Sequence, residues 1–366
     1  MRMSPPRERN QPLKGRGALS NPSGRFEHRR HEAIDDGWYQ EEVPDFIPTS
    51  IEPDRARSVI TRNDSPDIPF EQSINPYRGC THACPYCYAR PSHSYVGLSP
   101  GLDFETRLFY KQDAGRLLEE ELAKPGYVCK PITLGANTDP YQPIERRMRV
   151  TRAILEVLAR CRHPVTVITK SALVLRDLDL LADLARDGLA GVGVSVTTLS
   201  AELKRVMEPQ AASPRARLEA VRRLNDAGIP TGVMVAPVIP ALTDHEMEAI
   251  LEAAAGAGAR WAGYVLLRLP YEVKDLFREW LAAHYPDRAA HVMSLVRQMR
   301  GGKDYDSSFG TRMRGTGPMA ELLRTRFQVA CRHFGLGTGR RQQPPDTTLF
   351  RPPIAERSGP QLALDL

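Results

Sequence analysis

The stretch Asn75-Pro-Tyr-Arg-Gly-Cys-Thr-His-Ala-Cys-Pro-Tyr-Cys-Tyr88 carries three cysteines within eight residues, at Cys80, Cys84 and Cys87. The whole chain of 366 residues has six cysteines, too few for a disulfide framework. The prolines and the glycine of the stretch 75–88 permit tight turns, so the three thiolates can converge on one iron–sulfur cluster. The next cysteine, Cys129, is 42 residues beyond Cys87. Three ligands on a four-iron cube leave one iron with an open coordination position, which is typical of catalytic metal sites.

Two other interpretations of the cysteines stay open. One is a zinc site in which His82 or His93 completes the three thiolates, although zinc ligands usually come as two separated pairs. The other is a set of buried, inert thiols. His82 itself is predicted to lie at the surface or beside the site and not to bind a metal.

Outward from the cysteines, from about residue 70 to 270, short β-rich runs alternate with amphipathic segments. In these segments apolar residues stand three and four apart, as Leu218, Val221 and Leu224 do. Strands are predicted near Gln72–Asn75 and at 131–135, 165–169, 191–196, 231–235 and 263–267. Six strands each followed by a helix predict a parallel sheet, which right-handed crossovers curl into a full or partial barrel.

Two shorter signals mark helix ends in this region. Gly228 is a predicted C-cap. The sequence Thr243-Asp-His-Glu246 predicts a capping box that opens the next helix. Because functional residues of such barrels lie at the carboxyl ends of the strands, the loops that follow the strands form the candidate site.

The pattern divides the chain into four parts. We expect an irregular, basic and proline-rich arm at 1–65, the core barrel at 66–272, a helical and basic C-terminal extension at 273–341, and a flexible tail at 342–366. The extension is expected to close one side of the barrel.

The net charge of +6 is unevenly distributed along the chain. Residues 1–30 carry +6 and residues 296–341 carry +7, which leaves −7 for the remainder. Basic ends around an acidic middle favour a polyanionic partner, although such tails are often only solubilising.

Several classes of protein are excluded. No stretch approaches the roughly 18 apolar residues needed to cross a bilayer. The first residues, Met1-Arg-Met-Ser-Pro-Pro6, are not followed by an apolar block. The chain is therefore predicted to be cytoplasmic, without a membrane partner. It contains no Walker loop, Rossmann glycine fingerprint or Gly-x-Ser-x-Gly elbow.

The spacing Cys80-x3-Cys84-x2-Cys87, with a following barrel of βα units, resembles the radical S-adenosylmethionine (radical SAM) superfamily over about residues 70–270. The resemblance implies a partial (β/α)6 TIM-type barrel in which the three thiolates hold a [4Fe–4S] cluster. The open iron would chelate the methionine part of S-adenosylmethionine. Reduction would then cleave the sulfonium and give a 5′-deoxyadenosyl radical that abstracts hydrogen from the substrate. The implied electron donor is a flavodoxin or ferredoxin.

The same resemblance assigns candidate contacts for the methionine moiety. Asn137, Thr138 and Asp139 follow the second strand, where the family meets the methionine amino group, and Asp139 is the candidate partner of the ammonium. Lys170 and Ser171 follow the third strand and are candidates for the carboxylate. An ordinary capped turn and a solvated lysine are the alternatives.

The nucleoside part has candidate contacts as well. Ser195 and Thr197 end the fourth strand, where the family often binds the ribose hydroxyls, and Tyr86 is a candidate adenine contact. Small polar side chains in a buried strand need hydrogen-bond partners, and a satisfied barrel interior would also provide them. Plain packing is the alternative for Tyr86.

Within the superfamily the chain resembles the spore photoproduct lyase-like, or DNA repair photolyase-like, group. Tyrosines flank the last cysteine, and Thr138-Asp139 follows the second strand. In the lyase a cysteine two residues before this pair supplies a hydrogen atom to the product radical, whereas this chain has Ala136. The substrate therefore stays open. Tyr88 is the candidate catalytic residue for radical transfer, with an ordinary packed tyrosine as the alternative.

Three functions follow from these observations. The favoured one is a radical SAM enzyme acting on nucleic acid, with Lys14-Gly-Arg-Gly-Ala18 and the segment from Arg312 to Arg326 contacting phosphates. The second is a radical SAM enzyme that modifies a protein or peptide. The third is a non-catalytic, zinc-stabilised nucleic-acid-binding protein.

Overall fold

The computed structural model describes residues 12–27, 47–338 and 346–353. Within these residues, strands form two sheets. The strands are β1 (Ser50–Pro53), β2 (Ile60–Arg62), β3 (Gln72–Ile74), β4 (Tyr77–Arg78), β5 (Arg107–Tyr110), β6 (Ile132–Leu134), β7 (Val165–Thr169), β8 (Ala190–Ser195), β9 (Thr231–Val238), β10 (Trp261–Leu266) and β11 (Gly337–Thr338).

Helices connect the strands and cover the outer face of the larger sheet. They are α1 (Asp103–Thr106), α2 (Ala114–Leu122), α3 (Glu145–Met148), α4 (Val150–Arg160), α5 (Leu178–Arg186), α6 (Ala201–Met207), α7 (Pro214–Asp226), α8 (Met247–Gly256), α9 (Val273–His284), α10 (Pro286–Gln298) and α11 (Gly317–His333). Short 3-10 helices lie at Arg90–Val96, Ala172–Asp177 and Asp244–Glu246. No helix in the described ranges is long and apolar enough to span a bilayer.

The larger sheet has the strand order β11-β10-β9-β8-β7-β6-β3-β2. Its neighbouring strands are parallel except for the antiparallel pair β2 and β3. The six predicted strands are β3 and β6 to β10, which confirms the predicted α/β partial barrel. A smaller sheet, β1-β5-β4, lies beside it.

The interior of the barrel is filled near its amino end by one indole. Trp261 on β10 lies over Gly232 on β9 and Gly193 on β8, and a Cβ on these glycines would come within 2.1 and 3.0 Å of the ring. Glycine is therefore needed at these positions because any larger side chain would displace the indole. Two residues beyond Gly193 on the same face, Ser195 points toward the carboxyl end of the barrel interior.

The C-terminal extension reaches the edge of the sheet that begins with β2. Arg312 Nε contacts Asp67 Oδ2 at 2.6 Å, and the Gly310 amide donates to Asp67 Oδ1 at 2.7 Å. These contacts bridge the open side of the partial barrel between the β2 edge and the β10 side.

Parts of both terminal segments are ordered, unlike the irregular arm and flexible tail predicted from the sequence. β1 pairs in parallel with β5. Near the other end, Phe350 packs on Tyr127 and His163 with ring centroids 5.5 and 5.3 Å away, and the Arg351 amide donates to the Cys161 carbonyl at 2.8 Å. Apolar surface at the amino end of the barrel orders this piece of chain. The rest of both terminal segments lies mostly outside the described residues.

Of the two helix-end signals, one is confirmed and one is wrong. Gly228 has φ 78° directly after the cap of α7, as a C-cap glycine does. The predicted capping box at Thr243 does not form, because its two side chains have tertiary partners. Thr243 Oγ1 accepts from the Ile239 amide at 2.9 Å, and Glu246 accepts from Thr198 Oγ1 at 2.6 Å.

Candidate functional site

The cysteine loop, residues 79–88, directly follows β4, which itself comes shortly after the carboxyl end of β3. Gly79 has φ 75°, and a Cβ there would lie 2.8 Å from the Phe104 carbonyl oxygen, so the turn requires glycine. The Cys80 amide donates to that same carbonyl at 2.9 Å. Cys80 and Cys84 are buried and Cys87 is half-buried. The loop thus holds its three thiols at the carboxyl-end rim of the barrel, where the sequence predicted the site.

A fully buried arginine fixes the inner side of this loop. Arg90 forms an ion pair with Glu105, and neither side chain is exposed. Arg90 also donates to the carbonyl oxygens of Cys84, Pro100 and Gly101, at 2.8, 3.0 and 2.9 Å. A buried charge with a complete set of acceptors holds the loop backbone in one conformation.

The N-terminal segment, residues 12–27, packs on the outside of the cysteine loop. The Gly17 and Ala18 amides donate to the two carboxylate oxygens of Glu105 at 3.1 and 2.8 Å. A Cβ on Gly17 would lie 1.7 Å from the Ala83 carbonyl oxygen, so the backbones are in close contact. Glu105 therefore joins this segment to Arg90 beneath the loop.

The prediction that Lys14-Gly-Arg-Gly-Ala18 contacts phosphates is wrong for Arg16. Its guanidinium donates to the carbonyl oxygens of Glu105 and Ile47 at 3.2 and 2.7 Å and to Thr49 Oγ1 at 2.9 Å. These backbone acceptors order the segment, and the basic residue serves the fold.

Tyr86 is hydrogen-bonded to a second buried ion pair. Its hydroxyl donates to Glu208, which also pairs with Arg217, and both charged side chains are almost completely buried. Arg217 further donates to the Ser195 and Ala212 carbonyl oxygens at 3.0 and 2.9 Å. Burial opposes ionisation of Glu208, but Arg217 and Lys170 outweigh it and hold its pKa at about 2. The pair connects the cysteine loop to the end of β8.

The thiols lie in a low-dielectric environment. Burial raises the pKa of Cys84 to about 12, and the Glu208 carboxylate adds to this effect. Among the described residues, no group of three or more His, Cys, Asp and Glu side chains is arranged to hold a single metal ion. The candidate zinc ligand His93 has its Nε2 bonded to the Arg107 carbonyl at 2.9 Å. Cys80, Cys84 and Cys87 share one loop at the rim, and thiolates are the ligands that iron–sulfur clusters take, so the chemistry of this donor set fits a cluster.

The loop after β6 is fixed to the loop after β3. Asn75 Oδ1 accepts from the Asn137 amide at 2.9 Å, and Thr138 Oγ1 donates to the Tyr77 carbonyl at 2.9 Å. The Asp139 carboxylate accepts from Thr169 Oγ1 and from the Lys170 amide, each at 2.7 Å.

Asp139 also contacts the cysteine loop, at His82. Its Oδ2 lies 3.4 Å from Nδ1 of His82, which is 3% exposed, and Nε2 of His82 is buried with no hydrogen-bond partner among the described residues. The carboxylate of Asp139 thus positions the loops around it. Whether it also contacts an ammonium stays a prediction.

The other predicted contacts also lie at strand ends. Lys170 Nζ stands 6.0 Å from the centroid of the Tyr86 ring. Ser171 Oγ accepts from the Leu173 amide at 3.2 Å and caps the following 3-10 helix. Ser195 and Thr197 are buried after β8, and Thr197 Oγ1 has no partner within the described part of the chain. This buried hydroxyl can accept a ligand group without losing a protein contact.

Tyr88 lies at the mouth of the site and is 44% exposed. Its hydroxyl donates to the Ala136 carbonyl, at the position that distinguishes this chain from the lyase. The guanidinium of Arg268, two residues after β10, lies 5.1 Å from the ring centroid. Arg268 was not among the residues predicted from the sequence, although its place after a predicted strand is the same signal that identified Lys170.

The C-terminal basic segment is partly used by the fold. Arg312 pairs with Asp67 and Arg326 pairs with Glu248, so the prediction that these two side chains contact phosphates is corrected. Arg314 is exposed. The acidic partners could not be assigned from the sequence because they lie far away along the chain.

Comparison with known proteins identifies the family of this site. Residues 74–254 match the family model of the Radical SAM superfamily. An uncharacterised protein of Mycobacterium tuberculosis is 34% identical over 289 residues, which cover 78% of this chain and 81% of that protein. An uncharacterised protein of Methanocaldococcus jannaschii is 31% identical over 176 residues, which cover 47% of this chain and 62% of that protein.

Solved structures show the same fold. A spore photoproduct lyase variant with bound S-adenosylmethionine and dinucleoside spore photoproduct aligns with a TM-score of 0.56 and 17% identity, over 79% of this chain and 80% of that chain. Enzymes of the superfamily use a [4Fe–4S] cluster and S-adenosylmethionine, which are the cofactors predicted here. The alternative of a non-catalytic zinc protein is therefore wrong. With its three-cysteine loop at the carboxyl-end rim of a parallel barrel, the chain belongs to the radical SAM superfamily and is an enzyme of that class.

Proposed function

We propose that this radical SAM enzyme acts on nucleic acid, which is bound across the carboxyl-end rim of the barrel. The observation that carries the proposal is a set of arginines stacked on exposed aromatic rings. Arg25 lies 3.7 Å from the ring centroid of Tyr271, and Arg268 lies 5.1 Å from that of Tyr88. Guanidinium groups attract phosphates, and exposed rings stack on bases. The solved lyase complex holds a dinucleoside lesion, which is consistent with this substrate class.

Further rings extend this surface. Arg25 also lies 5.1 and 5.7 Å from the centroids of Phe26 and Tyr95, which are 51% and 70% exposed. Phe309 adds a ring that is 60% exposed, although the arginine beside it, Arg312, is paired with Asp67. Exposed apolar patches on a protein commonly mark a surface that a partner covers.

In this proposal Cys80, Cys84 and Cys87 bind the cluster, because they are the thiols that share the rim loop. Cys161 and Cys331 are buried in the apolar core, and Cys129 precedes β6 at the amino end of the barrel. When bound, the cluster and S-adenosylmethionine supply reductive cleavage of the sulfonium and a radical for hydrogen abstraction.

The chain's own polar groups then orient the cofactor. Thr197 offers the unpaired hydroxyl for a sugar, with Ser195 beside it. Lys170 offers a cation to a carboxylate, and the Asn137 side-chain amide, 3.5 Å from Ser92 Oγ, lies in the loop after β6. Thr138, Asp139, Ser171 and Tyr86 hold these loops in position through the bonds described above.

Tyr88 is the proposed catalytic residue. Its phenol stands over the loop that carries Ala136, where the lyase has a cysteine, so the phenol is the oxidisable group that this chain presents there. A flavodoxin or ferredoxin is the proposed source of the electron, as in other enzymes of the superfamily.

Anaerobic reconstitution with iron and sulfide tests the chemistry. We expect about four iron atoms per chain and 5′-deoxyadenosine on addition of a strong reductant. The Cys84→Ala variant is expected to lose both, whereas Cys331→Ala keeps both. Full activity of Cys84→Ala would contradict the assignment of the ligands.

Binding of oligonucleotides by the reconstituted enzyme tests the substrate class. We expect binding that weakens steeply between about 50 and 200 mM salt, because phosphate contacts release counterions. Binding of acidic peptides but not of DNA or RNA would favour the protein-modifying alternative and contradict the proposal.

A further inference from the structure

Arg268 is a half-buried cation without a counter-charge. In the described part of the chain its guanidinium meets no carboxylate, and its Nε is buried without a hydrogen-bond partner. Its polar contacts are weak: Nη1 lies 3.4 Å from Sδ of Met313, a poor acceptor, and Nη2 lies 3.5 Å from Tyr305 Oη, at the limit of hydrogen bonding. Partial burial of a charge is unfavourable unless a partner satisfies it.

Most half-buried or buried arginines in the described ranges do have acceptors. They pair with carboxylates or with carbonyl oxygens: Arg16, Arg90, Arg152, Arg162, Arg176, Arg217, Arg297, Arg300, Arg312 and Arg326. Arg268 shares its lack of such a partner with Arg25, which is also stacked on rings at this rim. The fold therefore supplies acceptors wherever an arginine serves stability, and Arg268 is an exception.

A second cation strengthens the positive field at this place. Arg300 is buried and donates to the Leu267 and Thr311 carbonyl oxygens at 2.8 and 3.0 Å. Burial lowers the pKa of Arg300, and repulsion from Arg268 lowers it further. Two guanidinium groups with carbonyl or sulfur contacts attract an anion to the free edge of Arg268.

We propose that Arg268 binds a phosphate of the nucleic acid substrate and so places the adjoining nucleotide at Tyr88, next to Cys87. This inference rests on the proposed function and names the residue that positions its substrate. A guanidinium presents a planar pair of donors that matches two phosphate oxygens. The carboxylate of S-adenosylmethionine is a second source of an anion. The phosphate fits better because Arg268 stacks on a 44% exposed ring, on the solvent side of the loop.

The experiment uses the reconstituted enzyme and its Arg268→Met and Arg268→Lys variants. The matched control is Arg260→Met, which removes the same charge from an exposed residue directly before β10, at the opposite rim. Binding of a fluorescein-labelled single-stranded oligothymidylate is followed by anisotropy over a range of salt concentrations. Binding of S-adenosylmethionine is measured by equilibrium dialysis.

We expect Arg268→Met to weaken oligothymidylate binding about tenfold and to reduce the salt slope by about one, with S-adenosylmethionine binding unchanged. Arg268→Lys should keep the salt slope but lose part of the affinity, because it keeps the charge and loses the paired donors. Arg260→Met should bind as the wild type does. All variants should keep the wild-type melting temperature, which shows that they fold.

Failure of this inference is distinguishable from failure of the proposed function. If the wild type binds oligothymidylate and Arg268→Met binds it equally well, the role of Arg268 is wrong and the substrate class stands. Weaker S-adenosylmethionine binding with unchanged oligonucleotide binding would assign the anion to the cofactor and overturn the inference. If the wild type binds an acidic peptide and no oligonucleotide, both proposals fail.

Discussion

Arg217 on α7 and Arg268 in the loop after β10 approach the cysteine loop from different elements, and their surroundings are opposite. Arg217, near the end of β8, is 1% exposed and has Glu208 and two carbonyl oxygens as acceptors. Arg268, after β10, has an aromatic ring, a thioether and a distant hydroxyl. A satisfied buried charge fixes one conformation of the fold, whereas an unsatisfied one is available to a ligand. The difference separates the structural side of the rim from the side that we propose binds the substrate, called here the binding side.

The largest effect is expected on the structural side. Arg217→Met leaves the Glu208 carboxylate buried and unpaired, so we expect a loss of about 3–5 kcal/mol in the free energy of unfolding. Urea unfolding of the variant measures it. The control Arg222→Ala removes an exposed arginine paired with Glu219 and should leave the unfolding midpoint unchanged. An equal midpoint for Arg217→Met and wild type would break the comparison.

The amino end of the barrel offers another satisfied ionisable group. His163 is buried, with Nε2 hydrogen-bonded to the Tyr127 hydroxyl at 2.8 Å and Nδ1 hydrogen-bonded to the Pro164 carbonyl oxygen at 3.1 Å. Burial lowers its pKa from 6.5 to about 4, although the bond to Pro164 opposes this. Because the unfolded chain binds the proton first, the stability from neutral His163 is complete above pH 6.5 and is lost as the pH falls through 4.

We therefore expect up to about 3 kcal/mol of the free energy of unfolding to disappear between these pH values. Unfolding at a series of pH values measures the slope, and His163→Gln should flatten it while lowering stability near neutral pH. A wild-type slope in the variant would show that another group is responsible.

Glu105 tests whether the loop has one structural support or two. Glu105→Gln removes the charge that pairs with Arg90 and weakens the acceptors of the Gly17 and Ala18 amides. We expect a loss of about 1.5–3 kcal/mol in the free energy of unfolding. Limited proteolysis should also show faster cleavage within residues 12–27. The exposed Glu120→Gln serves as the control, and unchanged cleavage would contradict a role of Glu105 in holding this segment.

The smallest effect on stability is expected at Tyr88. Tyr88→Phe removes one hydrogen bond at a half-exposed position, so the free energy of unfolding should change by no more than about 0.5–1.5 kcal/mol. Production of 5′-deoxyadenosine should continue, whereas turnover of a nucleic acid substrate should fall. Equal turnover by Tyr88→Phe and wild type would remove Tyr88 from the catalytic role and leave Arg268 as the marker of the binding side.

Much of the fold was predictable because its signals are local. Each core strand is a short run that contains at least one β-branched residue, and the runs at β3 and β6 to β10 were all located from the sequence. The cysteine loop was located because its spacing is itself the signal. The capping box at Thr243 failed for the opposite reason, since tertiary contacts with Ile239 and Thr198 replaced the local bonds.

The supports of the site were not predictable. Glu105 contacts Arg90 and Gly17, and Glu208 contacts Tyr86 across 122 residues, with nothing in the local sequence to relate these positions. The role of the basic termini was not predictable either, because charge composition does not reveal which arginines have partners. Arg16 and Arg312 look like phosphate contacts in the sequence and serve the fold in the structure.

The sequence by itself determined the chemistry of this protein, since the spacing of Cys80, Cys84 and Cys87 and the periodicity of the strands are properties of short stretches of chain. Only the tertiary structure decided which charges are satisfied. Whether an arginine stabilises the fold or is available to a ligand depends on which acceptors lie within hydrogen-bond distance of it. Those neighbours come from distant parts of the chain.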